Sequence, residues 1–96
     1  MPDFYDIVHA KVRDGAEAEM VRRRPSLEAG VRAKLPGLLD IRLVRLDDGT
    51  YIDVLRWESR EAADAAIEKF ADVPEAGEIH DFLAEGLAHY RGEAVA

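Results

Sequence analysis

Cysteine is absent from the 96 residues, so neither a disulfide framework nor a thiolate metal site is available. No apolar run approaches the ~20 residues that a bilayer-spanning helix needs. The first residues, Met1-Pro2-Asp3-Phe4-Tyr5-Asp6, lack the basic and apolar regions of a secretory signal. These absences point to a cytoplasmic protein with no membrane partner. Positive charge is also scarce, with 13 Lys and Arg against 20 Asp and Glu and a net charge of −7. That balance is the reverse of what a phosphate backbone selects, so nucleic acid is not expected as a partner. The run Arg22-Arg23-Arg24 is the local exception, and it reads as a solvated helix face. The histidines, His9, His80 and His89, show no HxH or HExxH spacing, and there is no Gly-rich phosphate loop. No metal and no flavin or other cofactor is therefore expected.

What is present reads as one domain over residues 1–96, since a chain this short does not divide into two cores. From Phe4 to Arg13, Val8, Ala10 and Val12 alternate with His9, Lys11 and Arg13, the period of a strand. Asp14 precedes Glu17 by three residues in the form of a capping box, opening a helix with Met20, Leu27, Val31 and Leu35 on its apolar side. Pro25 falls inside it, which predicts a kink or two abutting helices. Leu38 to Leu46 and Thr50 to Glu58 read as a hairpin about Asp47-Asp48-Gly49. Ser59 suits the N-cap of a helix bearing Ala63, Ala66, Ile67 and Phe70. Pro74 opens a shorter helix carrying Ile79, Phe82 and Leu83 and ending at Gly86, and Leu87 to Val95 forms a last strand.

This order is α+β: a ferredoxin-like βαββαβ arrangement with helices on one face of an antiparallel four-stranded sheet. Side-chain parity then divides the sheet. Val8, Ala10, Val12, Ile41, Leu43, Ile52 and Val54 are expected beneath the helices. Tyr5, Ile7, His9, Arg42, Val44, Tyr51, Asp53, Leu55, Trp57, His89 and Arg91 are expected on the other face. A face that apolar and aromatic calls for a cover, and the simplest is a second copy, giving a homodimer with a cavity between the sheets.

The chain resembles the antibiotic biosynthesis monooxygenase family, whose dimers form an α+β barrel. The residues that carry the resemblance are the opening strand Phe4-Tyr5-Asp6-Ile7-Val8-His9-Ala10-Lys11-Val12 with Asp14-Gly15, then Leu35-Pro36-Gly37-Leu38-Leu39. Most telling is Tyr51-Ile52-Asp53-Val54-Leu55-Arg56-Trp57-Glu58-Ser59 running into Glu61-Ala62-Ala63-Asp64-Ala65-Ala66. The resemblance implies a cofactor-independent oxidation of a phenol- or anthrone-like aromatic. In family members of that kind a strand tryptophan, matched by Trp57, and an amide four residues before it line the pocket. The amide position holds Asp53, and a pocket tyrosine six residues beyond the tryptophan corresponds to Ala63.

On this reading His9 is the candidate general base and Asp53 its orienting partner. Tyr5, Arg42, Tyr51, Trp57, His89 and Arg91 are candidate substrate-binding residues, with an arginine stabilising the developing anion. A second reading is a non-catalytic dimer that holds a small aromatic or apolar ligand, or a stress-response module of the same fold. A third follows the haem-degrading relatives, in which His80 would bind iron, although the helix tryptophan of those proteins corresponds to Ala66 or a neighbouring small residue.

Overall fold

A computed structural model describes residues 2–96. In chain order the elements are β1 (Phe4–Val12), α1 (Glu17–Lys34), β2 (Leu38–Arg45), β3 (Tyr51–Trp57), α2 (Arg60–Ile67), a 3-10 turn (Phe70–Asp72), α3 (Pro74–Asp81) and β4 (Leu83–Glu93). The strands form one antiparallel sheet in the order β2-β3-β1-β4. This is the ferredoxin-like α+β fold. None of the helices among the described residues is long and apolar enough to cross a membrane.

The local signals behave as their chemistry requires, with three exceptions. Ser59 caps α2, its Oγ accepting from the Ala62 amide at 3.1 Å, and Gly49 takes the positive φ of 86° that the β2–β3 turn demands. Asp14 does not cap α1; the N-cap is Ala16, with no side-chain hydrogen bond. Pro25 neither ends nor divides α1, which runs unbroken from Glu17 to Lys34. Its missing N–H forfeits one rung of an 18-residue helix that tertiary packing holds through Met20, Leu27 and Val31. The last helix stops at Asp81 and β4 begins at Leu83, four residues earlier than the expected Leu87. Gly86 therefore ends nothing; it lies in β4 beside Ala10, where the β1–β4 register slips.

Parity is right on β1 and β2 and reversed on β3 and β4. Phe4 stands opposite Trp57, Asp6 opposite Leu55, Val8 opposite Asp53 and Ala10 opposite Tyr51. Tyr51, Asp53, Leu55 and Trp57 thus face the helices, while Ile52 and Val54 lie on the open side with Ile7 and His9. His89 and Arg91 also lie on the helix side, since His89 pairs with Val8 and Arg91 with Asp6. The physical reason lies in the composition of β3, which is apolar on both faces. The period alone cannot say which set goes inward, and the bulkier ring does. Trp57 is fully buried among Phe4, Val31, Leu35, Leu38, Ile41, Ala63, Ala66 and Val73.

Candidate functional site

Between the sheet and the helices lies a cavity of about 390 Å³ with an almost wholly apolar surface. Its floor is Val8, Ile41, Asp53 and Leu55 of the sheet, and its walls come from Val31 and Arg24 of α1. Phe70 and Ala71 of the 3-10 turn, Ala76, Gly77, Ile79 and His80 of α3, and Leu83 complete it. The volume falls within the usual range for small-molecule sites. The expected cavity between two sheets is not the one this chain forms by itself; the apolar pocket is on the opposite side, under α3.

Arg24 and Asp53 are the ionisable pair of this cavity. The Arg24 side chain is only 6% exposed, because position 24 falls on the buried stripe of Met20, Leu27 and Val31. It is therefore not part of a solvated basic face, as the Arg22-Arg23-Arg24 run had suggested. A guanidinium in that place must be paired. Its Nη1 donates to Asp53 Oδ2 at 3.2 Å, its Nη2 to Asp53 Oδ1, and its Nε to Glu28 Oε2 at 2.9 Å. Desolvation acts to lower the Arg24 pKa, but the hydrogen bonds and charges of Asp53 and then Glu28 outweigh it, so the net shift is upward. Asp53 accordingly pairs with neither Arg42 nor Arg91. An arginine on an otherwise apolar helical stripe was the signal in the sequence that could have revealed this pair.

On the far side of Arg24, a polar cleft of about 500 Å³ is lined by Glu17, Glu28, Arg42, Arg45 and Tyr51. The Tyr51 ring is buried, and its hydroxyl makes no hydrogen bond. Burial first, and then the Glu17 carboxylate beside it, push the Tyr51 phenol pKa up.

The remaining sequence candidates do not converge on either space. His9 lies on the open face, where its Nε2 is 2.8 Å from Thr50 Oγ1. The Thr50 hydroxyl donates to Asp48 Oδ1 at 2.6 Å, so its only proton is committed and His9 Nε2 must donate to it. That nitrogen is consequently a proton donor at the end of the hairpin, on the opposite face from Asp53. His89 and Arg91 both turn to Asp6, each at 2.8 Å, and Arg91 also reaches Asp64 of α2 at 2.8 Å. Tyr5 is on the open face. Trp57 is core rather than a cavity wall, and its indole Nε1 has no hydrogen-bond partner among the described residues. His80 does line the cavity. The place of the haem-distorting tryptophan is held by the buried Ala66.

The family model for antibiotic biosynthesis monooxygenases matches residues 4–80, and the chain belongs to that family. No curated relative matches it. Among solved structures it is similar to one from Bordetella bronchiseptica assigned to the antibiotic biosynthesis monooxygenases. That match has a TM-score of 0.74 at 20% identity and covers 100% of both chains. It is similar also to one of the same assignment from Caulobacter crescentus CB15, with a TM-score of 0.74 at 21% identity over 99% of this chain and 92% of that one. A third is SnoaB, a cofactor-independent oxygenase from Streptomyces nogalater, with a TM-score of 0.68 at 20% identity over 100% and 94% of the two chains. At these identities the structural likeness speaks for the fold.

Proposed function

We propose that the protein is a cofactor-independent monooxygenase for an electron-rich aromatic of the phenol or anthrone type, with the cavity between sheet and helices as its site. The observation that carries this reading is a carbon-lined pocket between sheet and helices, open to solvent on one side and with few ionisable groups, in a chain of this family. An apolar pocket accepts both a planar ring and dioxygen, and a ring seated in it displaces water from its carbon-lined wall. For an anthrone the balance is simple. The ring methylene loses two hydrogens and gains one oxygen atom as a carbonyl, and the second oxygen atom leaves as water.

The protein need only remove a proton and hold the ring. In place of His9, the proton acceptor is His80, which stands at the exposed rim of the cavity wall. Asp53, locked by Arg24, fixes the floor. Oxygen uptake with a dithranol-type anthrone tests the reading: uptake by the parent protein that falls in His80→Ala supports it. Ring binding without uptake would leave only a ligand-binding module.

The same proposal includes a homodimer. The open face carries Tyr5, Ile7, Val44, Ile52, Val54 and Tyr90, and no helix among the described residues covers it. Val44 and Tyr90 are among the exposed large side chains of the protein. A twofold pairing of sheets would bury that surface and close it against further association.

A further inference from the structure

Arg24 would be the obvious anchor for an acidic ligand, since it is the cation that reaches the cavity wall from α1. Its bonding state says otherwise. Three nitrogens of the guanidinium are engaged, two with Asp53 and one with Glu28. The side chains of the three groups are 6%, 17% and 17% exposed, so water shares little of their charge. One cation against two carboxylates leaves the group with a formal charge of −1.

We propose that this Arg24–Asp53–Glu28 triad is a specificity device that confines the cavity to uncharged aromatics and rejects those carrying a carboxylate. The inference rests on the functional reading above in taking the cavity as the ligand site, and it names the substrate class of that site. A ligand carboxylate could reach Arg24 only by displacing Asp53, leaving an unpaired anion in a dry wall. Held elsewhere in the cavity, it would lie near the Asp53 carboxylate of the floor, with Arg24 already committed to Asp53 and, on the cleft side, to Glu28, so that no free cation of the triad offsets the repulsion. An uncharged ring meets an almost wholly apolar lining and need not displace any member of the ion pair. The position four residues before Trp57, an amide in the phenol-oxidising members of the family, is thus a carboxylate here because it answers Arg24. Its consequence is selection by charge, a form of discrimination against the wrong ligand rather than attraction of the right one.

The test uses a matched pair of probes, 2-naphthol and 2-naphthoate, titrated calorimetrically into the full chain at pH 8. There the naphthol is uncharged and the naphthoate is ionised. The parent should bind naphthol more tightly by roughly 30-fold or more, the scale of one like-charge conflict in an apolar site. Asp53→Asn keeps an acceptor for Arg24 while bringing the triad to neutrality, and the preference should shrink to about threefold or less. Glu28→Gln makes the same change of charge on the cleft side and should relax it less. Ala76→Phe, which fills the cavity, should abolish naphthol binding.

Equal affinity of the parent for the two probes overturns the proposal, and that measurement needs no variant to fold. So does an unchanged preference in Asp53→Asn, or naphthol binding that survives Ala76→Phe. Failure of both probes to bind would remove this proposal and the function together. A strong naphthol preference without oxygen uptake on any anthrone would keep the specificity and remove only the chemistry.

Discussion

Trp57 offers a sharp test of the packing, because its burial and its hydrogen bonding pull in opposite directions. The side chain is 0% exposed, and truncation to alanine in such a place costs about 3–5 kcal/mol. The same indole carries an unpartnered N–H, and leaving a buried donor unsatisfied costs about 1–3 kcal/mol. Trp57→Phe removes that donor while retaining one ring. The volume lost is on the order of 40 Å³, which at ~24 cal/mol per Å³ amounts to about 1 kcal/mol if nothing relaxes. The two contributions nearly cancel, so Trp57→Phe should lie within about 1 kcal/mol of the parent. Trp57→Ala should lower the urea midpoint by roughly 1 M or more, given a slope of about 1–3 kcal/mol per molar for small domains. Since this is the one tryptophan of the chain, unfolding should be followed by far-ultraviolet circular dichroism rather than by fluorescence. A Trp57→Phe protein destabilised as severely as Trp57→Ala would refute the reasoning and show that the indole N–H contributes a bond in the core.

Three further outcomes are expected. His80→Ala should lower anthrone-dependent oxygen uptake by about 10²-fold or more, whereas His9→Ala should leave it within a few-fold; the reverse ranking would move the chemistry to the open face. Asp48 accepts from both the amide and the hydroxyl of Thr50, and these bonds, the hydroxyl's first, hold its pKa below the ordinary 3.8. A depressed folded value means that its stabilisation is present above the unfolded pKa and is lost as pH falls through the folded one. An NMR titration should therefore place its midpoint below 3.8, and an unshifted midpoint would contradict the hairpin geometry. Finally, Val54→Asp, which puts a charge on the open face, should convert a sedimenting dimer to a monomer while leaving the circular dichroism spectrum unchanged; a parent protein already monomeric at micromolar concentration would dismiss the dimer.

The elements were legible because each had its own local chemistry. Alternation marked β1, the Asp47-Asp48-Gly49 turn marked the hairpin, and Ser59 with its alanine stripe marked α2. The site was much less legible. It depended on which face of β3 turns inward, and β3 offers Ile52 and Val54 on one side against Tyr51, Leu55 and Trp57 on the other. A reversed assignment there carried Asp53 and Trp57 to the wrong side and set His9 beside a carboxylate from which the sheet separates it. Arg24 was lost for a different reason. Three consecutive arginines read as a charge run, yet helical geometry points them in three directions, and only the third falls on the line of Met20, Leu27 and Val31. Gly86 misled in the same way, since a glycine at a register slip within an edge strand and a glycine ending a helix are identical in sequence.

The roof of the cavity is unlike the rest of the molecule. No residue of α3 is buried. The helix is tied to α1 by Arg23 to Glu78 at 3.0 Å and Lys34 to Glu75 at 2.7 Å, solvent-facing pairs of the kind that contribute little apiece. Glu75 also lies across Gly30, whose lack of a Cβ is what admits it. The sheet and α1 hold the large buried side chains, so amides of α3 should exchange with deuterium well ahead of those in β1 and β3. Opening of α3, which packs only the partly buried Ala76 and Ile79 on the core, should therefore cost less than global unfolding, and the exchange rates of its amides would measure that difference.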